Sequence, residues 1–226
     1  SELKGIQALI FDEFHERHLY GDITLARALD LQQTSRPDLK ILVMSATLDS
    51  ATLTEYLSPC QLLSSEGRTF PVDIQYLPPG DSHDDVPIWD QAATAFSNFV
   101  QQGGKGDVLV FMPGGYEIQK TLETFRHISE SRGYILLPLH GELNSRDQDA
   151  AVSRYDQPKV VVATNVAETS LTIDGIRLVI DSGLARIPRY DPYRGINTLL
   201  VEKISQASSD QRAGRAGRTG PGTCMR

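Results

Sequence analysis

Near the end of the sequence, Gln211-Arg212-Ala213-Gly214-Arg215-Ala216-Gly217-Arg218 puts three guanidiniums within seven positions, separated only by alanine and glycine. On a helix capped by Ser208 or Ser209, Gln211, Arg215 and Arg218 fall at i, i+4 and i+7 and share one face. Arg212 then points about 100° away from them. The small residues between let that face approach a ligand closely, and within the stretch the arginines have no acidic partner. Guanidiniums spaced in this way suit a polyanion, phosphate first; the alternative is a basic, solvated helix end. Close to the other terminus, Asp12 and Glu13 follow the apolar run Ile6–Phe11. They fit a solvated pair, a carboxylate metal site, or a metal ligand beside a general base. His15-Glu16-Arg17-His18 is not a zinc-protease motif, which needs its histidines at i and i+4 rather than i and i+3.

These groups need elements to hold them. The run Ile6–Phe11 reads as a buried strand of a parallel sheet, with its carboxylates at the strand's C-terminal edge, where open α/β sheets bind ligands. A helix over Asp22–Gln33 and a second buried strand, Ile41–Met44, complete a βαβ unit. Ser64–Gly67 and the acidic Pro78–Asp85 are loops, and Val72–Leu77 alternates like a strand between them. A domain boundary near Glu66 is expected. Beyond it the pattern predicts helices over Ile88–Gln101, Glu117 to about Ser129, and Ser145–Tyr155. Strands are expected over Asp107–Phe111, Tyr134–Leu139, Val160–Thr164 and Leu178–Asp181. Ala185–Tyr190 and Thr198–Ile204 read as the arms of a hairpin, within about residues 185–204.

The 226 residues suit two ordinary domains. The net charge of −7 is uneven: residues 186–226 hold eight Lys and Arg against three Asp and Glu, leaving −12 on residues 1–185. A local basic site on an acidic body fits polyphosphate better than general adhesion to nucleic acid. Two distant cysteines give neither a disulfide framework nor metal spacing, so a reducing, cytoplasmic compartment is the default expectation. There is no apolar run of membrane-spanning length.

Four motifs stand in order. They are Asp12-Glu13-Phe14-His15, Ser45-Ala46-Thr47, the stretch Thr164-Asn165-Val166-Ala167-Glu168-Thr169-Ser170-Leu171-Thr172-Ile173-Asp174-Gly175, and Gln211–Arg218. In this the chain resembles a DEAH-box (DEAH/RHA) helicase from motif II through motif VI. Phe14, where alanine is usual, and Phe111-Met112-Pro113-Gly114 resemble the bacterial HrpB-like branch.

The resemblance implies two RecA-like parallel-sheet α/β domains in tandem. The first, residues 1–66, would be truncated at its N-terminus and carry motifs II and III; the second would span 67–226. No G-x-x-x-x-G-K-[ST] phosphate loop occurs in these residues, so its place is expected upstream in a longer parent, and the resemblance also implies further C-terminal domains. By the same resemblance Asp12 would coordinate Mg²⁺ on ATP, and Glu13 would act as general base on the hydrolytic water. His15 would link that site to Gln211 across a cleft, and Arg215 and Arg218 would be arginine fingers, leaving Arg212 structural. Thr172 and Asp174 would lie near the nucleotide, and Ser45, Ala46 and Thr47 would couple hydrolysis to domain movement.

Single-stranded nucleic acid, RNA ahead of DNA, would meet His140, Thr164, Asn165, Thr169 and Ser170, as well as Arg186, Arg189 and Arg194 on the hairpin. His140 also reads as a buried structural residue, and the hairpin tip as ordinary surface. The function implied is a fragment of an ATP-dependent helicase, inactive in isolation. The competing readings are a hydrolysis-incompetent binding or regulatory module and a translocase that does not unwind.

Overall fold

The computed structural model describes residues 3–17, 19–45, 50–64, 70–77, 86–168 and 171–226. The chain divides into two compact units, Ser1–Glu66 and Gly67–Arg226.

In the first unit, β1 (Ala8–Phe11) and β2 (Lys40–Val43) pair in parallel, with Phe11 opposite Val43. They are joined through α1 (Leu19–Thr34), which buries Leu25 and Ala28, and α2 (Ser50–Tyr56) follows. The βαβ order is the expected one, but the strands are not fully buried. Ile10 is 61% exposed and Leu42 46% exposed. A continuous apolar run signals a strand with two faces to cover, and this two-stranded sheet covers only one. Helix α2 carries no strong periodicity and was not expected.

The second unit is a six-stranded sheet in the order β3-β10-β7-β4-β6-β5, parallel throughout. Its strands are β3 (Val72–Gln75), β4 (Asp107–Phe111), β5 (Ile135–Leu139), β6 (Lys159–Ala163), β7 (Ile176–Asp181) and β10 (Gly222–Met225). Strand alternation feeds two cores, as a period of two requires. Val108, Val110, Val160 and Val162 pack with Phe96 of α3 (Ile88–Gln101) and with Ile118, Leu122 and Phe125 of α4 (Gly115–His127). Leu109, Phe111, Val161 and Ala163 face the other way, onto Ala151 of α5 (Ser145–Val152) and Ala213 of α6 (Gln206–Gly214). Lys159 is itself buried. Its ammonium donates to the Ala151 and Ser153 carbonyls at 2.8 and 2.5 Å, closing the end of α5, while burial holds it below the usual lysine range.

Strands β8 (Leu184–Asp191) and β9 (Ile196–Lys203) form the antiparallel hairpin, in register from Leu184↔Lys203 to Asp191↔Ile196. Strand β10 was not expected, because Gly-Thr-Cys-Met shows neither alternation nor an apolar run. Its place beside β7 demands close approach. A Cβ on Gly222 would stand 2.3 Å from the Ala216 carbonyl oxygen, and one on Gly217 would stand 2.6 Å from that of Phe70. These two glycines seat the chain that carries Arg215 and Arg218 against the sheet.

Candidate functional site

In the first unit the acidic turn is held by the strands that flank it. Met44 N–H donates to the Phe11 carbonyl at 2.8 Å, and Phe14 N–H to the Met44 carbonyl at 3.0 Å. Phe14 is buried edge-on to Phe11, with ring centroids 6.4 Å apart. Between them Glu13 takes a left-handed conformation, φ 50° and ψ 37°, and its N–H donates to Asp12 Oδ1 at 2.8 Å. A non-glycine residue in this region is uncommon and costs backbone energy, a pattern that concentrates at functional sites. The Glu13 carboxylate lies 3.3 Å from His15 Nε2, and the imidazole is nearly buried. The turn therefore fixes two carboxylates, and His15 orients one of them. Among the described residues no three His, Cys, Asp or Glu side chains converge on a common metal position. One or two carboxylates at a strand end suit Mg²⁺ shared with substrate phosphates, not a protein cage. Ser45 is exposed just after β2; Ala46 and Thr47 lie outside the described residues.

In the second unit helix α6 starts earlier than expected. Ser205, not Ser208 or Ser209, is the cap, its side chain accepting from Ser208 N–H at 3.1 Å. The helix ends at Gly214 and tightens into a 3₁₀ turn over Arg215–Gly217. The regular 3.6-residue period thus breaks inside the arginine series. The three arginines also have distinct surroundings. Arg212 is 1% exposed and paired with two acids, Glu168 at 3.0 Å and Asp181 at 2.8 Å. Its guanidinium also lies 4.7 Å from the Phe111 ring centroid. The arginine stretch itself holds no acid, as expected; both partners come from 31 and 44 residues away. No local pattern reveals them. Arg215 is 5% exposed and donates to the Leu171 carbonyl at 2.8 Å and to the Glu168 carbonyl. Arg218 is exposed and donates to Thr172 Oγ1 at 3.1 Å. Asp174, two residues on, pairs with Arg154 at 2.7 Å, another contact the spacing did not disclose. Gln211 is half-buried on α6.

The remaining residues gather elsewhere. Because β4, β5, β6 and β7 are parallel, the segments leaving them share one sheet edge. Half-buried His140 follows β5, and Thr164 and exposed Asn165 follow β6, with Thr164 N–H donating to the Leu139 carbonyl at 3.1 Å. Thr169 and Ser170 lie outside the described residues. The hairpin arginines are exposed but have acidic neighbours. Arg189 makes a two-pronged contact with Glu202 across the strands, at 2.7 and 2.6 Å. Arg186 lies 4.0 Å from Glu117 and Arg194 3.7 Å from Asp191. Tyr193, at the tip, is 99% exposed. Two sets therefore emerge within this unit. Hydroxyl, amide and imidazole groups line the sheet edge, while Arg215 and Arg218 follow the end of α6, and Thr172 and Asp174 lie on the segment leading into β7.

A parallel α/β sheet with this arginine helix is the architecture of a helicase C-terminal domain. The family model for the helicase conserved C-terminal domain matches residues 91–220, and the chain belongs to that family. The ATP-dependent RNA helicase HrpB of Escherichia coli K12 is 47% identical over 227 residues, covering 99% of this chain and 27% of that protein. The crystal structure of the E. coli DEAH/RHA helicase HrpB superposes with a TM-score of 0.87 at 45% identity, covering 99% of this chain and 28% of that one. The probable ATP-dependent RNA helicase DHX34 of Mus musculus is 40% identical, covering 99% of this chain and 20% of that protein. The chain thus spans roughly a quarter of the length of these relatives. The resemblance to DEAH/RHA helicases, and to their HrpB-like branch, is borne out. No helix among the described residues is long and apolar enough to cross a membrane.

Proposed function

We propose that this chain is the motif II to motif VI portion of an ATP-dependent RNA helicase. The observation that carries the reading is near-complete coverage by relatives named as such, together with the acids and arginines standing in order. Asp12 would hold Mg²⁺ on the nucleotide through its carboxylate, whose direction is set by the bond from Glu13 N–H to Asp12 Oδ1. When bound, the ion would supply charge neutralisation at the phosphates. Glu13 orients the attacking water and takes its proton, while His15 holds the carboxylate in place. Arg215 and Arg218 stabilise charge on the transferring phosphoryl group, and their carbonyl and hydroxyl partners pre-organise them. Gln211 joins them on α6, Thr172 and Asp174 support the same region, and Ser45 with Ala46 and Thr47 relays the state of the nucleotide.

His140, Thr164 and Asn165 at the sheet edge, together with Thr169 and Ser170, meet the sugar-phosphate backbone, where short neutral donors need no base identity. Arg186, Arg189 and Arg194 add phosphate contacts from the hairpin, and Tyr193 offers a ring for stacking. The test uses the intact parent protein. Mg²⁺-dependent ATP turnover is expected, and single-stranded RNA is expected to raise it several-fold. A parent that hydrolyses ATP at one rate with and without RNA contradicts the reading.

A further inference from the structure

The buried Arg212 is the one residue of the arginine series that faces neither the phosphate-directed set nor solvent. Its Nε donates to Glu168 Oε2 at 3.0 Å. One terminal nitrogen donates to Asp181 Oδ1 at 2.8 Å and to the Leu184 carbonyl at 3.2 Å. Those acceptors belong to three different parts of the unit. Glu168 lies on the segment between Thr164 and Thr172, and its backbone carbonyl also receives Arg215. Its other carboxylate oxygen takes the Ser208 hydroxyl at 2.5 Å. Asp181 ends β7 at the sheet edge, and its Oδ1 also accepts Gly183 N–H at 3.0 Å. Leu184 opens the first arm of the hairpin.

Burial of this node is costly. Two carboxylates share a single guanidinium, and Asp181 Oδ2 is buried with no hydrogen-bond partner. Replacing such a buried cluster by apolar packing is often neutral or stabilising, so stability alone does not account for it. From the node's connections we infer that Arg212 is a positioning residue that couples the two sets. It ties α6, which carries Gln211 and leads into the turn of Arg215 and Arg218, to the RNA-directed sheet edge and to the root of the hairpin. A displacement of α6 by the nucleotide is then transmitted to the hairpin and to Glu168, and RNA bound at the edge biases the arginines in return. A lysine cannot replace it, because an ammonium is a point charge without the planar fork that reaches three acceptors at fixed angles. The inference rests on the helicase reading above.

The test compares the parent protein with Arg212→Lys, measuring ATP turnover without RNA, turnover at saturating single-stranded RNA, KM for ATP, and Tm. For Arg212→Lys the RNA-free rate and KM stay within about twofold, while the stimulation by RNA falls about tenfold, a typical size for coupling between sites. Should that variant fail to fold, Glu168→Gln is read in its place. It removes one ion pair, leaves Arg212 bonded to Asp181 and Leu184, and is expected to lose stimulation in the same way. Equal losses of stimulated and RNA-free turnover, or unchanged stimulation in a folded variant, overturn the coupling role. A wild-type parent with no response to RNA overturns the helicase reading itself, and the coupling role with it.

Discussion

Glu13→Gln in the parent protein lowers RNA-stimulated ATP turnover by about 10²–10⁴-fold, while RNA affinity stays close to wild type. The substitution keeps the side chain's size and its ability to accept a hydrogen bond, but it removes the group that takes a proton from water. The turn itself survives. Its geometry depends on the Glu13 backbone N–H bonded to Asp12, on the buried Phe14 and on the Met44 bridges, none of which uses the Glu13 carboxylate. The carboxylate contact with His15 Nε2 is also altered, so a modest effect through His15 orientation is folded into the measurement. Rate assays with and without RNA, alongside fluorescence anisotropy of labelled single-stranded RNA, separate loss of chemistry from loss of binding. Wild-type turnover in the variant removes Glu13 from the role of base.

Arg218→Ala is expected to cost about 10³-fold or more in turnover, in the range for arginines that neutralise a phosphoryl transition state. Arg218 gives the cleaner experiment of the two arginines. It is exposed, its bond goes to the Thr172 hydroxyl, and removing it leaves that hydroxyl to solvent. Tm is therefore expected to hold while the rate collapses. Arg215→Ala lowers the rate on a similar scale but also strips donors from the partly buried carbonyls of Glu168 and Leu171. A buried acceptor left unsatisfied costs about 1–3 kcal/mol, so this variant loses Tm as well. A fall in rate at both positions with a fall in Tm at Arg215 alone separates a chemical role from a structural one. ATP turnover near wild type in Arg218→Ala contradicts the assignment.

Much of this architecture was legible because the relevant signals are local. The apolar runs at 107–111 and 160–164, with helical periods between them, disclose a parallel sheet from sequence alone. Asp191–Gly195 discloses the hairpin turn. The acids at Asp12 and Glu13 stand out because they end an apolar strand. What stayed hidden depends on long-range pairing. Gly222–Met225 becomes a strand only because β3 and β7 leave a slot between them. Nothing near Arg212 announces Glu168 or Asp181, and nothing near Asp174 announces Arg154. The hairpin arginines read as free cations along the sequence, yet cross-strand register brings Glu202 to Arg189. The cap is ambiguous for a smaller reason, since Ser205, Ser208 and Ser209 all suit that role by residue type.

The proposed function requires the paired acids and the two arginines to act on one phosphate in the parent protein. The most direct measurement of this is a crystal structure of the parent protein with RNA, ADP, Mg²⁺ and a planar aluminium fluoride in place of the transferring phosphoryl group. The Glu13 carboxylate is expected at about 3 Å from the in-line water, and the Arg215 and Arg218 guanidiniums at about 3 Å from fluoride ligands. Either guanidinium turned away from the fluoride, with another cation in its place, would contradict the proposed function.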